Sequence, residues 1–176
     1  HCSIAVENGK VLEKSWREEA PIPRGGCDRA SIVLDDHLYV LGGQEGDWIN
    51  DPRVSTYRCT RDFITEIMYP DTYRMKAGSN EWERLADMPV KSSHTEFAVF
   101  QLKKKIVLVG GQHDCSNDIT RVTDAIQAYD AASNSWKIIG RLPYCTKTIS
   151  VYYNGWLYFT TGQRDRLTGG SGMAGD

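Results

Sequence analysis

The chain has 176 residues, 23 acidic and 21 basic side chains, and a formal net charge of −2. Its apolar fraction of 40% and charged fraction of 25% are a globular composition and exclude a disordered chain. The near-neutral balance argues against a nucleic-acid binder working through a basic surface, and no apolar run approaches the ~18 residues of a membrane-spanning helix.

Residues 1 to about 20 are expected to form two strands, the second beginning at Trp16-Arg17-Glu18-Glu19. After Pro23, a strand over residues 30–34, a turn at Asp35-Asp36 and an apolar strand ending in Gly42-Gly43-Gln44 are expected. A long connection then runs from Gln44 to about residue 62, and a polar strand begins at Trp82. The order repeats after Pro89. A strand is expected near residues 97–100, a turn at Lys103 to Lys105, and the apolar run Ile106-Val107-Leu108-Val109 ending in Gly110-Gly111-Gln112. A loop to about Thr123, a mixed strand from Ala125 to Tyr129 and a polar strand from Trp136 complete that repeat. After Pro143 come a strand over residues 149–153, the hairpin signal Asn154-Gly155 and Leu157-Tyr158-Phe159-Thr160-Thr161-Gly162-Gln163.

Trp16, Trp82 and Trp136 are each followed seven residues later by proline, and the spacing between tryptophans is 66 and then 54. Each feature has a mechanical reason. The glycine pair supplies positive φ and close backbone approach. A tryptophan can wedge between adjacent sheets, and proline ends an outer strand without requiring a ladder bond. Apolarity falls from the second strand to the fourth, as in a sheet with a buried inner side and a wet outer edge. No segment is long enough in helical periodicity to make a parallel crossover.

The ordered set of Gly-Gly, Tyr, Trp and Pro, at a period near 50 residues, resembles the kelch-repeat β-propellers. The stretches Ile22-Pro23-Arg24-Gly25-Gly26, Gly42-Gly43-Gln44-Glu45-Gly46-Asp47 and Tyr158-Phe159-Thr160-Thr161-Gly162-Gln163-Arg164-Asp165 are similar to the C-terminal half of a plant family described as galactose oxidase/kelch-repeat superfamily proteins. Met75 stands where the repeat expects the counterpart of Tyr129, and Thr161 replaces a glycine.

The resemblance implies an all-β fold, a kelch-type propeller fragment of two full four-stranded blades flanked by two half blades. Residues 1–20 would be strands three and four of one blade, 21–86 a full blade with a long insertion, 87–140 a full blade, and 141–176 strands one and two of a further blade. Closed propellers need ~4–8 blades, so the remaining blades of the same chain are expected to complete the arc. A chain that opens at His1 with no secretory signal is likewise expected to be a fragment or processed piece. Family resemblance further implies a membrane anchor ahead of the propeller, with no direct membrane contact by this segment.

Antiparallel order places the two-to-three loops and the four-to-one connections on one face, and these connections are the long ones. The expected function is a protein-interaction scaffold that presents this face to a protein or peptide. The candidate rim is Arg24, Asp28, Arg29, Glu45, Asp47, Trp48, His94, Glu96, Arg164 and Asp165. Trp48 either anchors a partner or folds back on its own loop. The alternative is a propeller enzyme, a copper-radical oxidase or a carbohydrate-active protein, whose site is completed by missing blades. No catalytic residue, metal site or cofactor is assigned. His94, His113 and Asp114 lack paired-ligand spacing and match no copper motif, nothing in the sequence positions Asp28 against Glu96, and fold resemblance is not evidence of oxidase chemistry. The five cysteines are too scattered for a disulfide framework or a C-x-x-C site and are read as free thiols ahead of a single disulfide.

Overall fold

The computed structural model describes residues 2, 4–13, 16–45, 67–116, 119–160 and 162–164. Among them the regular structure is entirely β, and no helix forms. Two four-stranded antiparallel sheets dominate. In the first, Ala30–Leu34, His37–Leu41, Thr72–Lys76 and Trp82–Arg84 are neighbours in chain order. In the second the order is Val99–Leu102, Lys105–Val109, Ala125–Asp130 and Ser135–Arg141. A hairpin of Ile4–Glu7 with Lys10–Glu13 precedes them, and one of Ser150–Tyr153 with Trp156–Phe159 follows.

Local chemistry sets the tight turns. Asn154 and Gly155 have φ of 49° and 86°, and Asp35 and Asp36 have 47° and 59°. Two consecutive positive values are what a two-residue hairpin turn needs to match strand twist, and Asn, Asp and Gly tolerate them best.

The strand Lys105–Val109 shows why the apolar runs are continuous. Ile106 and Leu108 pack toward the first sheet, in a core with Leu34, Tyr39, Leu41 and Met88. Val107 and Val109 point the other way, into a core with Ala98 and Leu142 that Leu157 and Phe159 of the final hairpin join. Adjacent residues on a strand face opposite sides, so a strand covered on both faces has no polar phase. Burial then falls outward, and most of Ser135–Arg141 is exposed or half-buried.

Tryptophan and tyrosine lock neighbouring layers. Trp136 leans on Tyr129 and its indole N–H donates to Thr72 Oγ1 of the first sheet at 2.9 Å. The Trp82 indole donates to the Ala20 carbonyl at 2.9 Å.

Three expectations need correction. The strand expected from Trp16 does not form: the hairpin ends at Glu13, and Trp16 is 72% exposed. An indole with no layer to wedge against contributes no packing to hold so polar a segment in a sheet. The strand expected near residues 97–100 starts at Val99, because the turn bond from Ala98 N–H to the Thr95 carbonyl delays it. The span from Gln112 to Thr123, expected as a loop, is largely a bulged hairpin of Gln112–Ser116 with Ile119–Val122. Most of the connection after Gln44 lies outside the described residues, which show the pairing of Gln44–Glu45 with Ile67–Met68.

Candidate functional site

One face is stitched together by a repeating backbone device. Cys27 N–H donates to the Gln44 carbonyl at 2.9 Å and Gln44 N–H returns the bond at 3.0 Å. Ser93 and Gln112 make the same reciprocal pair at 2.9 and 3.0 Å. Lys147 pairs with Gln163 at the matching place, beside Thr146 and Arg164. Each repeat thereby ties the connection before its first strand to the segment after its second. The second glycine of each pair bonds onward to the next repeat: Gly43 N–H to the Ser92 carbonyl at 2.8 Å, and Gly111 N–H to the Thr146 carbonyl at 3.1 Å.

This lacing gathers Asp28, His94 and Glu96. Asp28 and His94 follow the bridging residues Cys27 and Ser93, and both hold left-handed backbone, with φ of 52° and 54°. Asp28 Oδ2 lies 3.4 Å from His94 Nε2. Burial holds the Glu96 carboxyl above its ordinary range and the Asp28 carboxylate adds to the shift, against a backbone hydrogen bond and Lys147. A carboxylate beside a partly buried carboxyl favours the neutral form of the latter.

His94 Nδ1 lies 3.0 Å from Ser93 Oγ, so serine, imidazole and carboxylate stand in a row. The row does not offer a reachable nucleophile, because Ser93 is fully buried and its hydroxyl lies 2.9 Å from Gln44 Oε1. No substrate carbonyl can approach such an oxygen without opening the core.

A second cluster lies around Tyr69. Its ring is buried, and its hydroxyl donates a short hydrogen bond to Glu45 Oε2. Burial first, then Glu45, pushes the phenol well above its usual range. The Arg24 guanidinium carbon lies 3.9 Å from the ring centroid and that of Arg29 lies 5.1 Å away. Buried Asp71 meets Arg24 and Arg84, each at 3.3 Å.

Of the expected rim, Arg24, Asp28, Arg29, Glu45, His94 and Glu96 therefore fall into these two clusters. Arg164 lies in the short strand Gln163–Arg164, paired with Thr146–Lys147, and Asp47, Trp48 and Asp165 lie outside the described residues. Tyr69, Asp71 and Ser93 were missed. Tyr69 ends the long insertion, where the next repeat has Thr123 making the same bond to a glycine carbonyl, so no periodic signal marked an aromatic there. Among the described residues no group of three His, Cys, Asp or Glu side chains is placed to hold a metal ion. Cys2, Cys27 and Cys145 are in no disulfide. The opposite end carries a shallow cleft lined by His37, Arg74, Trp82 and Glu83, whose Arg74 and Glu83 already pair at 2.7 Å.

No protein-family model matches the chain. It is 43% identical over 169 residues to a kelch repeat-containing protein of Arabidopsis thaliana, a match covering 94% of this chain and 39% of that one. It is 28% identical over 144 residues to Kelch-like protein 40 of Xenopus tropicalis, covering 81% of this chain and 19% of the relative. Among solved structures it is similar to YjhT, with a TM-score of 0.58 at 17% identity, over 86% of this chain and 38% of that one. The chain thus spans well under half the length of the relatives it matches.

Proposed function

The chain belongs to the kelch-repeat family of β-propellers, and from that premise we propose that it is part of a protein-interaction scaffold. The working surface in this reading is the laced face, and the partner is a protein or peptide. The observation that carries it is the reciprocal bridging of Cys27 to Gln44 and of Ser93 to Gln112. A rigid backbone frame there holds charged side chains from two successive blades within contact of one another, while the connections that carry them remain partly exposed. Rigid scaffolds with variable loops suit recognition, because the loops change without disturbing the packed sheets. The remaining blades of the longer protein complete the ring, and a membrane anchor ahead of the propeller would display it at a membrane surface.

The test is partner capture by the full-length protein. Trp48→Ala, Arg29→Glu and His94→Ala should each weaken capture, with the melting temperatures of Trp48→Ala and His94→Ala close to that of the parent. A hot-spot loss corresponds to ~2 kcal/mol or more of binding. Replacing Lys103 and Lys104, in a turn on the other face, should do little. The reverse pattern, with the lysine turn essential and the three substituted residues dispensable, would move the binding surface to the opposite side.

A further inference from the structure

We propose that His94 is a proton-sensitive switch built into the junction between the two four-stranded sheets. Its charge sets the direction of the Ser93 hydroxyl and, through it, which end of the Gln44 side-chain amide faces Ser93. The switch acts on the frame of the laced face and works whatever that face binds.

The Ser93 hydroxyl has one proton and three neighbours that can take it. Gln44 Oε1 lies 2.9 Å from Ser93 Oγ, Met68 Sδ 3.0 Å and His94 Nδ1 3.0 Å. Ser93, Gln44 and Met68 are all buried, so bulk water does not repair a mismatch there. On the other side of the ring, His94 Nε2 lies 3.4 Å from Asp28 Oδ2, and both of these residues are partly exposed. The chain of groups thus runs from a carboxylate at the surface to the buried glutamine that bridges to Cys27. One atom in it stays unanswered: Gln44 Nε2 is shielded from solvent and has no acceptor.

The charge of the ring decides how this chain is satisfied. In imidazolium both ring nitrogens carry protons. Nε2–H then donates toward Asp28, Nδ1–H donates to Ser93 Oγ, and the serine proton goes to Gln44 Oε1. The amide stands in this orientation in the structure. A neutral ring keeps one proton, and the Asp28 carboxylate holds it on Nε2. Nδ1 then becomes an acceptor and draws the serine proton. Ser93 Oγ is left with lone pairs toward Gln44 Oε1, and two acceptors so close in a buried site repel. Half a turn of the amide removes the repulsion, because Nε2 then donates to Ser93 Oγ and gains the partner it lacks. Imidazole is the side chain whose ordinary titration falls between pH 5 and 8. Asp28 and Thr148 follow the bridging residues of the other two repeats, so only this junction carries an imidazole there. The charged and titratable side chains on the elements around it are Asp28 and Arg29 on the connection before and Lys91 and Glu96 on its own. His113 beside Gln112, Lys147 on the connection after and Glu45 beside Gln44 complete the set.

The experiment uses the full-length protein labelled with nitrogen-15 and follows the His94 ring nitrogens and the Gln44 side-chain amide by NMR from pH 5 to pH 8. The Gln44 amide should titrate with the same midpoint as the His94 ring. Asp28→Asn should lower both midpoints together by about 0.4 pH unit, the loss of one partly exposed charge pair. His94→Gln should silence the Gln44 titration. Ser93→Ala should leave His94 titrating while Gln44 no longer follows. Glu96→Gln and His113→Gln should leave the two midpoints matched, which separates this switch from the other groups that titrate nearby. Asp28→Asn and the parent protein carry the test even if Ser93→Ala fails to fold. A Gln44 amide that ignores pH, or a midpoint that differs from that of His94 or stays behind when Asp28→Asn moves it, would overturn the assignment. So would a Gln44 titration that persists in His94→Gln or Ser93→Ala, or one that vanishes in Glu96→Gln or His113→Gln.

Discussion

Asp28 and His94 occupy equivalent positions in successive repeats and meet across the junction, with Asp28 Oδ2 3.4 Å from His94 Nε2. Both are left-handed at the backbone, and both follow a residue bridged to a repeat glutamine. The contact couples two sheets at the face where their connections emerge. Because both groups are partly exposed, its worth is that of a surface pair, ~0.5 kcal/mol. Asparagine tolerates left-handed backbone, so a cycle of Asp28→Asn, His94→Asn and the double variant keeps the turns intact. Urea unfolding at pH 5, acid enough to protonate histidine, should give a coupling energy near that value that shrinks in 1 M salt. A coupling indistinguishable from zero at low salt would mean the pair contributes only geometry.

Glu96 predicts a pH dependence with a definite sign. Its folded pKa is raised above the ordinary 4.5 by burial and by Asp28. The folded state therefore binds this proton more tightly than the unfolded chain does. The resulting stability is fully present below 4.5 and is lost as pH rises through the folded value. Glu96→Gln removes the titration. The difference in melting temperature, variant minus parent, should thus become more positive between pH 4 and pH 7.5. A flat or falling difference would contradict the raised folded pKa.

Gly42 and Gly78 separate backbone strain from crowding. Both have positive φ, 57° and 76°. A Cβ on Gly78 meets nothing within 4 Å, whereas one on Gly42 collides with the Ser92 carbonyl oxygen and stands 2.8 Å from Met88 Cε. Gly78→Ala should cost the left-handed penalty alone, ~1–2 kcal/mol. Gly42→Ala adds overpacking of ~1–3 kcal/mol against backbone that the next repeat holds in place. Denaturant midpoints in the same buffer compare them directly, and equal losses would refute the crowding.

The three repeat tryptophans should not respond alike. Trp136 is seated on Tyr129 and bonded to Thr72, so Trp136→Ala should cost ~3–5 kcal/mol by urea unfolding. Trp16 is 72% exposed, and Trp16→Ala should stay within ~0.5 kcal/mol. A large loss at Trp16 would show that it, too, is packed between layers in the full-length protein.

What the sequence determined by itself is the part of the fold that repeats. The Gly-Gly-Gln endings, the Asn154-Gly155 turn and the continuous apolarity of Ile106 to Val109 each follow from a local requirement: positive φ, strand twist or burial on both faces. Local requirements recur at each copy and can be read without knowing what lies opposite. Trp16 was misread for the same reason. It has the sequence surroundings of Trp82 and Trp136, but a tryptophan seals a strand only when a neighbouring layer receives it, and that layer is not encoded beside it. The two clusters were legible in the sequence only as separate charged residues and not as neighbours. Asp28, His94 and Glu96 come from two repeats, and Arg29, Tyr69 and Glu45 are joined across a long insertion. Their distances arise only when the reciprocal bridges at Cys27 and Ser93 bring separate connections onto one frame. Tertiary structure therefore decided which carboxyl is held above its ordinary range, which arginine finds a carboxylate, and which serine is buried beyond reach, because desolvation and pairing depend on neighbours through space rather than along the chain.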